Sequence, residues 1–145
     1  MRVFALGGYG KVGFPATRLL AQSDLVTEIA IVGRSLERAQ AAAAEIGEKA
    51  VAVQADGTDE GAIASLVSGY DVIVNASTDE AVIPAIQAAI RTGTHYCDVN
   101  GVIEQALQLA SEAQAAGITS IVPNGIGPCI TNLMGVPVPR QLEEV

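Results

Sequence analysis

Residues 2–13 read Arg2-Val3-Phe4-Ala5-Leu6-Gly7-Gly8-Tyr9-Gly10-Lys11-Val12-Gly13, and this stretch decides the fold. Its apolar start predicts a short buried strand, and the residues from Pro15 onward predict a helix. Between them, Gly8-x-Gly10-x-x-Gly13 has the glycine spacing of a dinucleotide-binding turn. Because this spacing follows a strand and precedes a helix, it favours nucleotide binding over a glycine-rich turn with no ligand.

Each glycine of this turn has a separate predicted role. Gly8 allows the chain to leave the strand sharply, Gly10 lets a pyrophosphate approach the backbone, and Gly13 lets the helix pack close to the sheet. The amides of the first helical turn would then face the phosphates at the positive end of the helix dipole. The cofactor-binding residues predicted in this stretch are Gly8, Tyr9, Gly10, Lys11, Val12 and Gly13.

The rest of the chain alternates strand-like and helix-like segments with short connections. Strands are predicted at 28–33, 50–54, 71–75, 95–99 and 118–122, and helices at 15–23, 36–46, 60–68, 84–91 and 102–116. Ser35 and Asp59 are predicted to cap helices at their starts, and Gly47 and Gly93 to end them. The alternation predicts an α/β single domain, a doubly wound parallel sheet of six strands in the order 3-2-1-4-5-6, which is the Rossmann fold.

Composition narrows the class of partner. The 145-residue chain is 50 % hydrophobic, which a parallel sheet covered on both faces explains, and no apolar run approaches the roughly 20 residues that cross a bilayer. We therefore expect a cytoplasmic protein with no membrane partner. A net charge of −8 without a basic patch argues against nucleic acid. Cys97 and Cys129 stand apart with no histidine cluster, so neither a disulfide framework nor a metal site is predicted.

The end of the second strand indicates which dinucleotide is bound. An NAD-binding domain usually carries Asp or Glu there, whereas this chain has Gly33-Arg34-Ser35, with Arg38 one turn later. A guanidinium binds a 2′-phosphate that a carboxylate would repel, so Arg34, Ser35 and Arg38 favour NADP over NAD. The alternative is that Arg34 is a solvated residue and Ser35 only a helix cap.

Two further loops at the same edge of the sheet are candidate cofactor contacts. Asp56 and Gly57 follow the third strand and are predicted near the adenine. Asn75, Ala76 and Ser77 follow the fourth strand and are predicted near the ribose or nicotinamide. Both groups are equally well explained as loop and cap residues.

Candidate catalytic residues are weak in this chain. His95 begins a strand and is interpreted as a residue at the rim of the sheet. Cys97 is interpreted as a small buried residue that fills space in the core. Asp98 and Asn124 lie at predicted strand ends that face the crevice, but the sequence shows no partner for either. We therefore assign no catalytic residue and expect this chain alone to catalyse no hydride transfer.

Several motifs resemble the saccharopine dehydrogenase/reductase-like family. They are Asn75-Ala76-Ser77 before an alanine-rich helix, residues 93–101 (Gly-Thr-His-Tyr-Cys-Asp-Val-Asn-Gly), Ala116-Gly117-Ile118-Thr119, and residues 124–133 (Asn-Gly-Ile-Gly-Pro-Cys-Ile-Thr-Asn-Leu). The glycine fingerprint and the Gly33-Arg34-Ser35 corner fit the same family. The 124–133 stretch is the most specific part, because a generic Rossmann domain lacks it.

The resemblance implies that residues 1–145 are the N-terminal NADP-binding domain of a longer two-domain oxidoreductase. In that family a second, larger α+β domain supplies much of the substrate site and the dimer contact, and residues 141–145 look like the segment just before it. The implied substrate is of imine or amino-acid type, and the implied partner is a second copy of the full-length parent. Two positions depart from the family pattern: Cys129 stands where Gly is common, and Val102 where many members have Glu.

Two other classes of protein remain open on the sequence. One is a nucleotide-sensing module of the kind that regulates potassium channels, which has similar length and the same fingerprint. Such a module normally keeps the acidic residue after the second strand and has no Gly-Pro-x-x-Thr-Asn stretch. Arg34 and Gly127-Pro128 therefore count against it. The other is an inactive Rossmann scaffold used for association.

Overall fold

A computed structural model of the chain describes residues 1–100 and 104–122. In these ranges six strands form one sheet: β1 (Arg2–Leu6), β2 (Glu28–Gly33), β3 (Ala50–Gln54), β4 (Val72–Asn75), β5 (His95–Asp98) and β6 (Ser120–Ile121). The helices are α1 (Gly13–Ala21), α2 (Leu36–Ile46), α3 (Glu60–Leu66), α4 (Val82–Thr92), α5 (Glu104–Gln108) and α6 (Ala110–Ala115), with a 3₁₀ turn at Asp79–Ala81 before α4.

The sheet is parallel and its order is β3-β2-β1-β4-β5-β6, which confirms the predicted fold class and strand order. β1 lies at the centre, where Leu6 pairs with Val32 of β2 on one side and with Asn75 of β4 on the other. The first glycine turn therefore opens between two neighbouring strand ends. This is the position at which doubly wound sheets bind their ligands.

Alternate residues of β1 belong to two separate apolar layers, one on each face of the sheet. Val3 and Ala5 pack with β2 residues against α1 and α2, whereas Phe4 and Leu6 face α3, α4 and the last two helices. All four side chains are at most 2 % exposed. Burying a large aliphatic or aromatic side chain contributes about 1.5–3 kcal/mol, so β1 is stabilised from both faces and its carboxyl end is a rigid base for the turn.

Capping residues define several helix ends as predicted. The Ser35 side chain accepts a hydrogen bond from the Arg38 amide (3.3 Å), and Asp59 Oδ1 accepts one from the Ala62 amide (2.9 Å). Gly93 ends α4 in the left-handed conformation with φ +70°. These contacts satisfy backbone groups that the ends of a helix leave unpaired.

The predicted single helix at 102–116 is wrong in the part that the structure describes. Two short helices, α5 and α6, replace it, with Leu109 between them as the N-cap of α6. The sequence carries no glycine or proline at this point, so no local signal marks the break. The predicted strands 71–75, 95–99 and 118–122 are each shorter than expected, and the helix predicted to reach Ser68 ends at Leu66.

Some predictions fall on residues that the structure does not describe. These are the start of the 102–116 helix, Asn124 and the 124–133 motif, the two departures at Val102 and Cys129, and the 141–145 segment. In the described ranges no helix is both long and apolar enough to cross a membrane.

A polar cluster at the amino end of the sheet joins β1 and β2 to Tyr70, which lies just before β4. Glu28 Oε1 accepts hydrogen bonds from the Arg2 guanidinium and the Tyr70 hydroxyl, both at 2.8 Å. The Arg2 guanidinium also lies 4.5 Å from the centre of the Tyr70 ring. The hydrogen bonds from Arg2 and, to a smaller extent, from Tyr70 hold the pKa of Glu28 below its usual range. Burial raises the pKa of Tyr70 to about 12.

Candidate functional site

A cavity of about 350 Å³ lies at the carboxyl ends of β1 to β4. It brings together four segments that are distant in the chain: the glycine turn, the corner after β2, and the loops after β3 and β4. Its lining residues are Leu6, Gly7, Tyr9, Gly10, Gly33, Arg34, Arg38, Ala55, Asp56, Gly57, Thr58, Ala76, Ser77, Thr78 and Ala81.

The predicted cofactor-binding residues divide into two groups in the structure. Eight line the cavity: Tyr9, Gly10, Arg34, Arg38, Asp56, Gly57, Ala76 and Ser77. Six do not line it: Gly8, Lys11, Val12, Gly13, Ser35 and Asn75.

The sharp turn off β1 is made by Gly7 together with Gly8, whose amide donates to the Ala5 carbonyl oxygen at 3.1 Å and whose added Cβ would lie 2.8 Å from that oxygen. Gly7 has φ +76°, a left-handed conformation that other residues rarely adopt. A Cβ added there would lie 2.7 Å from the Ala76 carbonyl oxygen, so the turn also approaches the β4 loop closely. Gly7 was missed by the sequence reasoning. The signal for it was a second spacing in the same stretch, Gly7-x-x-Gly10-x-x-Gly13.

The predicted role of Gly13 agrees with its surroundings. A Cβ on Gly13 would collide with the carbonyl group of Gly7, so the missing side chain lets the start of α1 lie directly against the backbone that leaves β1. Gly10 donates its amide to the same Gly7 oxygen at 2.8 Å, and the Phe14 amide donates to the Gly10 oxygen at 2.9 Å. The turn is therefore a compact hydrogen-bonded unit that continues into the helix.

Two amides at the start of α1 remain available to a ligand. Within the described ranges, the backbone N–H groups of Lys11 and Val12 donate to no protein acceptor. Both residues are exposed, and their side chains do not line the cavity. Unpaired amides at a helix N-terminus, where the helix dipole is positive, form a binding site for anions such as phosphate.

The corner after β2 carries two cations and an aromatic ring. Arg34 and Arg38 are exposed and line the same cavity, and the Arg38 guanidinium lies 4.6 Å from the centre of the Tyr9 ring. The Ser35 hydroxyl caps α2, and its amide donates to the Tyr9 hydroxyl at 3.1 Å. Ser35 is thus a helix cap, as its alternative interpretation holds, and it also fixes the position of Tyr9.

Two carboxylates lie close enough to Arg34 to respond to its charge. The pKa of Asp56 is held below its usual range mainly by hydrogen bonds from Thr58, with a smaller contribution from Arg34. Hydrogen bonding from Thr78 likewise lowers the pKa of Glu80, and Arg34 adds to it. Arg34 therefore has two carboxylates near it, although it forms no ion pair within 4 Å among the described residues, and their negative charge works against the binding of a phosphate there.

The loop after β4 is shaped by a buried polar network. Asn75 is fully buried, and its Oδ1 accepts hydrogen bonds from the Ser77 amide (3.1 Å) and hydroxyl (2.7 Å). Its Nδ2 donates to the Tyr96 hydroxyl (3.0 Å), which in turn donates to Asp98 Oδ2 (3.1 Å). This network fixes the loop so that Ala76 and Ser77 line the cavity.

Asp98 has partners that the sequence did not reveal. It is 1 % exposed, accepts from Tyr96 and from the Asn100 amide, and burial raises its pKa. Burial also raises the pKa of Tyr96. Both residues belong to β5 and support the neighbouring β4 loop from within, because their contacts run to Asn75 and not into the cavity.

The remaining candidates lie away from the cavity. His95 is exposed at the start of β5, the opposite end of the strand, and its Nδ1 accepts a hydrogen bond from the Thr119 amide at 3.0 Å. Cys97 is half-buried beside β6, so it is less buried than predicted. No group of three or more potential metal ligands occurs among residues 1–100 and 104–122.

Comparison with known proteins gives a family match over most of the chain. Residues 3–121 match the model of the saccharopine dehydrogenase NADP binding domain. Saccharopine dehydrogenase [NADP(+), L-glutamate-forming] of Saccharomyces cerevisiae is 30 % identical over 138 residues, which cover 95 % of this chain and 30 % of that protein. The chain thus spans less than a third of the length of this curated relative.

Solved structures show the same fold. The apo histidine-tagged saccharopine dehydrogenase (L-Glu forming) from Saccharomyces cerevisiae superposes with a TM-score of 0.82 at 28 % identity, over 99 % of this chain and 31 % of that one. An NADPH-dependent quinone oxidoreductase of Escherichia coli, solved with NADPH, has a TM-score of 0.61 at 21 % identity. The superposed region covers 83 % of this chain and 47 % of the quinone oxidoreductase chain. At 21 % identity the likeness concerns the fold alone.

Proposed function

The chain belongs to the family of saccharopine dehydrogenase NADP-binding domains, and from this premise we propose that it holds NADP(H) in the cavity at the carboxyl ends of β1 to β4. The observation that carries the proposal is that three features lie at the same edge of the sheet, two of them lining this cavity and the third next to it in the glycine turn. These are a turn with no side chain at Gly7 and Gly10, two unpaired amides at the start of α1, and two arginines at the corner after β2.

The residues present fit the parts of the cofactor. The amides of Lys11 and Val12 would bind the pyrophosphate, and Gly10 would allow its close approach, because a Cβ there would enter the turn 3.1 Å from the Gly7 oxygen. Asp56 and Gly57 would lie beside the adenine. Ala76 and Ser77 would lie along the ribose and nicotinamide half, with Asn75 holding them in place from the core.

The corner after β2 favours the phosphorylated cofactor. Arg34 stands where an NAD-binding domain usually carries a carboxylate that accepts from the ribose 2′-hydroxyl. Arg34 and Arg38 would bind the 2′-phosphate through charge-assisted hydrogen bonds. Asp56 and Glu80 reduce the net positive charge, so we expect the preference for NADPH over NADH to be moderate.

When bound, NADPH supplies a hydride for reduction of a substrate. The described residues of this chain bind and orient the cofactor, and none of them forms an acid–base pair at the cavity. We propose that this chain is the N-terminal domain of a longer oxidoreductase, whose remaining part completes the substrate site for an imine or amino-acid substrate. The homodimer of that parent and its cytoplasmic location stay predictions.

The family match leaves the nucleotide-sensing alternative without support. Isothermal calorimetry of the 145-residue chain tests the proposed function, with NADPH, NADH and ATP as ligands. We expect binding of NADPH, weaker binding of NADH, and little heat with ATP. A folded chain that gives no heat with NADPH at millimolar concentration contradicts the proposal.

A further inference from the structure

The Tyr9 ring is fixed in place at the corner after β2. Its face lies over the backbone of Gly33, its hydroxyl oxygen accepts the Ser35 amide hydrogen at 3.1 Å, and the Arg38 guanidinium lies 4.6 Å from its centre. Tyr9 is half-buried and lines the cavity. Three contacts from three different residues hold one rotamer, which is the arrangement expected of a preorganised binding group.

The close packing of Tyr9 on Gly33 requires the glycine. A Cβ added at Gly33 would lie 2.5 Å from both the Cε1 and the hydroxyl oxygen of Tyr9, well inside van der Waals contact. Gly33 has no positive φ, so its conformation alone does not explain a glycine there. The glycine at the end of β2 is therefore explained by the tyrosine that crosses it from the β1 turn.

The Tyr9 hydroxyl can also donate a hydrogen bond. A phenolic hydroxyl can accept and donate at once, and here its oxygen is occupied by the Ser35 amide. No acceptor for its own hydrogen is found among the residues that the structure describes. Tyr9 lines the same cavity as Arg34 and Arg38, so its hydroxyl and the two guanidinium groups would act as donors toward one anionic group.

We propose that Tyr9 is a specificity-determining residue, whose hydroxyl donates a hydrogen bond to the 2′-phosphate of the cofactor while the Ser35 amide fixes its orientation. This inference rests on the proposed NADP(H) function. The Arg38 guanidinium lies over the ring, 4.6 Å from its centre, so the two donors are presented together. Arg34 lines the same cavity, with Asp56 and Glu80 near it.

The test compares Tyr9→Phe with the unchanged chain, using adenosine 2′,5′-bisphosphate and adenosine 5′-monophosphate as calorimetric probes. The two probes differ only in the 2′-phosphate. Phenylalanine keeps the ring on Gly33 and under Arg38 but removes the hydroxyl. We expect affinity for the bisphosphate to fall roughly 10- to 150-fold, as for loss of one hydrogen bond to a charged group, with the monophosphate unchanged.

Tyr70→Phe is the matched control, since it removes a hydroxyl that bonds Glu28 at the opposite end of the sheet. It should leave both probes unchanged. Equal losses for both probes in Tyr9→Phe, or no loss for either, overturn the inference. Tighter bisphosphate binding also overturns it, because the hydroxyl would then compete with the phosphate for the Ser35 amide.

A second variant tests the packing of the tyrosine on the glycine. Gly33→Ala should displace the ring and weaken bisphosphate binding, whereas in a Tyr9→Ala background the same change should have little further effect. Additive losses contradict a contact between the two positions. If the unchanged chain binds neither probe, the proposed function fails as well; if it prefers the bisphosphate and Tyr9→Phe keeps that preference in full, only this inference fails.

Discussion

Replacing Arg34 with alanine should weaken NADPH binding while leaving NADH binding nearly unchanged. Arg34 lines the cavity at the corner after β2, and NADPH differs from NADH only by the phosphate that this corner is proposed to bind. NADH offers a hydroxyl there, which gains little from a guanidinium. The variant therefore separates recognition of the phosphate from recognition of the rest of the cofactor.

The size of the effect follows from the exposure and the neighbours of Arg34. Two unit charges 4 Å apart interact by about 1 kcal/mol in bulk water and by about 4 kcal/mol at an effective dielectric constant near 20. Arg34 is exposed, and its charge is shared with Asp56 and Glu80, so the lower part of this range applies. We expect a loss of about 1–2 kcal/mol, or roughly 5- to 30-fold in the dissociation constant.

Calorimetric titrations of both cofactors at matched ionic strength measure the effect. Arg91→Ala is the control, because it removes the same charge from an exposed arginine that bonds Glu60 on α3, outside the cavity-lining residues. The loss in Arg34→Ala should shrink at high salt, as expected for an exposed ion pair. Equal weakening of NADPH and NADH, or an equal effect in Arg91→Ala, refutes the reasoning.

Three further predictions concern the turn, the buried network and the amino-end cluster. Gly10→Val should reduce NADPH affinity at least tenfold while circular dichroism shows the fold retained, because its Cβ would enter the turn 3.1 Å from the Gly7 oxygen; unchanged affinity contradicts the proposed pyrophosphate site. Asn75→Ala should lower the free energy of unfolding by about 2–4 kcal/mol in urea, since it leaves buried partners unpaired; a loss under about 0.5 kcal/mol contradicts the network. Glu28→Gln should cost about 0.5–1.5 kcal/mol at pH 7. Because the folded pKa of Glu28 is lowered, the difference from the parent chain should disappear as the pH falls below its ordinary value of 4.5; a difference independent of pH contradicts this.

Local patterns were sufficient to predict most of the fold. The bounds of β2, α2 and β3 agree with the structure. β2 and β3 are short, mainly apolar runs, and α2 is an alanine-rich segment between a capping residue and a glycine. The strand order follows from short right-handed crossovers in an alternating chain. The break at Leu109 was missed, since it carries no residue that disfavours a helix.

The site was harder to predict, because its details depend on distant parts of the chain. Gly7 is required partly by the Ala76 carbonyl, and Gly33 by the Tyr9 ring, and neither contact is visible in the local sequence. Asn75 was predicted as a ligand contact from its place at a strand end. The structure buries its side chain against Tyr96. The two residues are distant in the chain and come together because β4 pairs with β5.

The most direct test of the proposed site is amide-resolved NMR of the 145-residue chain, titrated with NADPH and separately with NADH. The largest shifts with either cofactor should fall on residues 7–13, with Lys11 and Val12 among them. The differences between the two cofactors should concentrate at Arg34, Ser35 and Arg38. Saturable shifts centred on the Arg2–Glu28–Tyr70 end of the sheet, or identical shifts at the corner with both cofactors, would contradict the account.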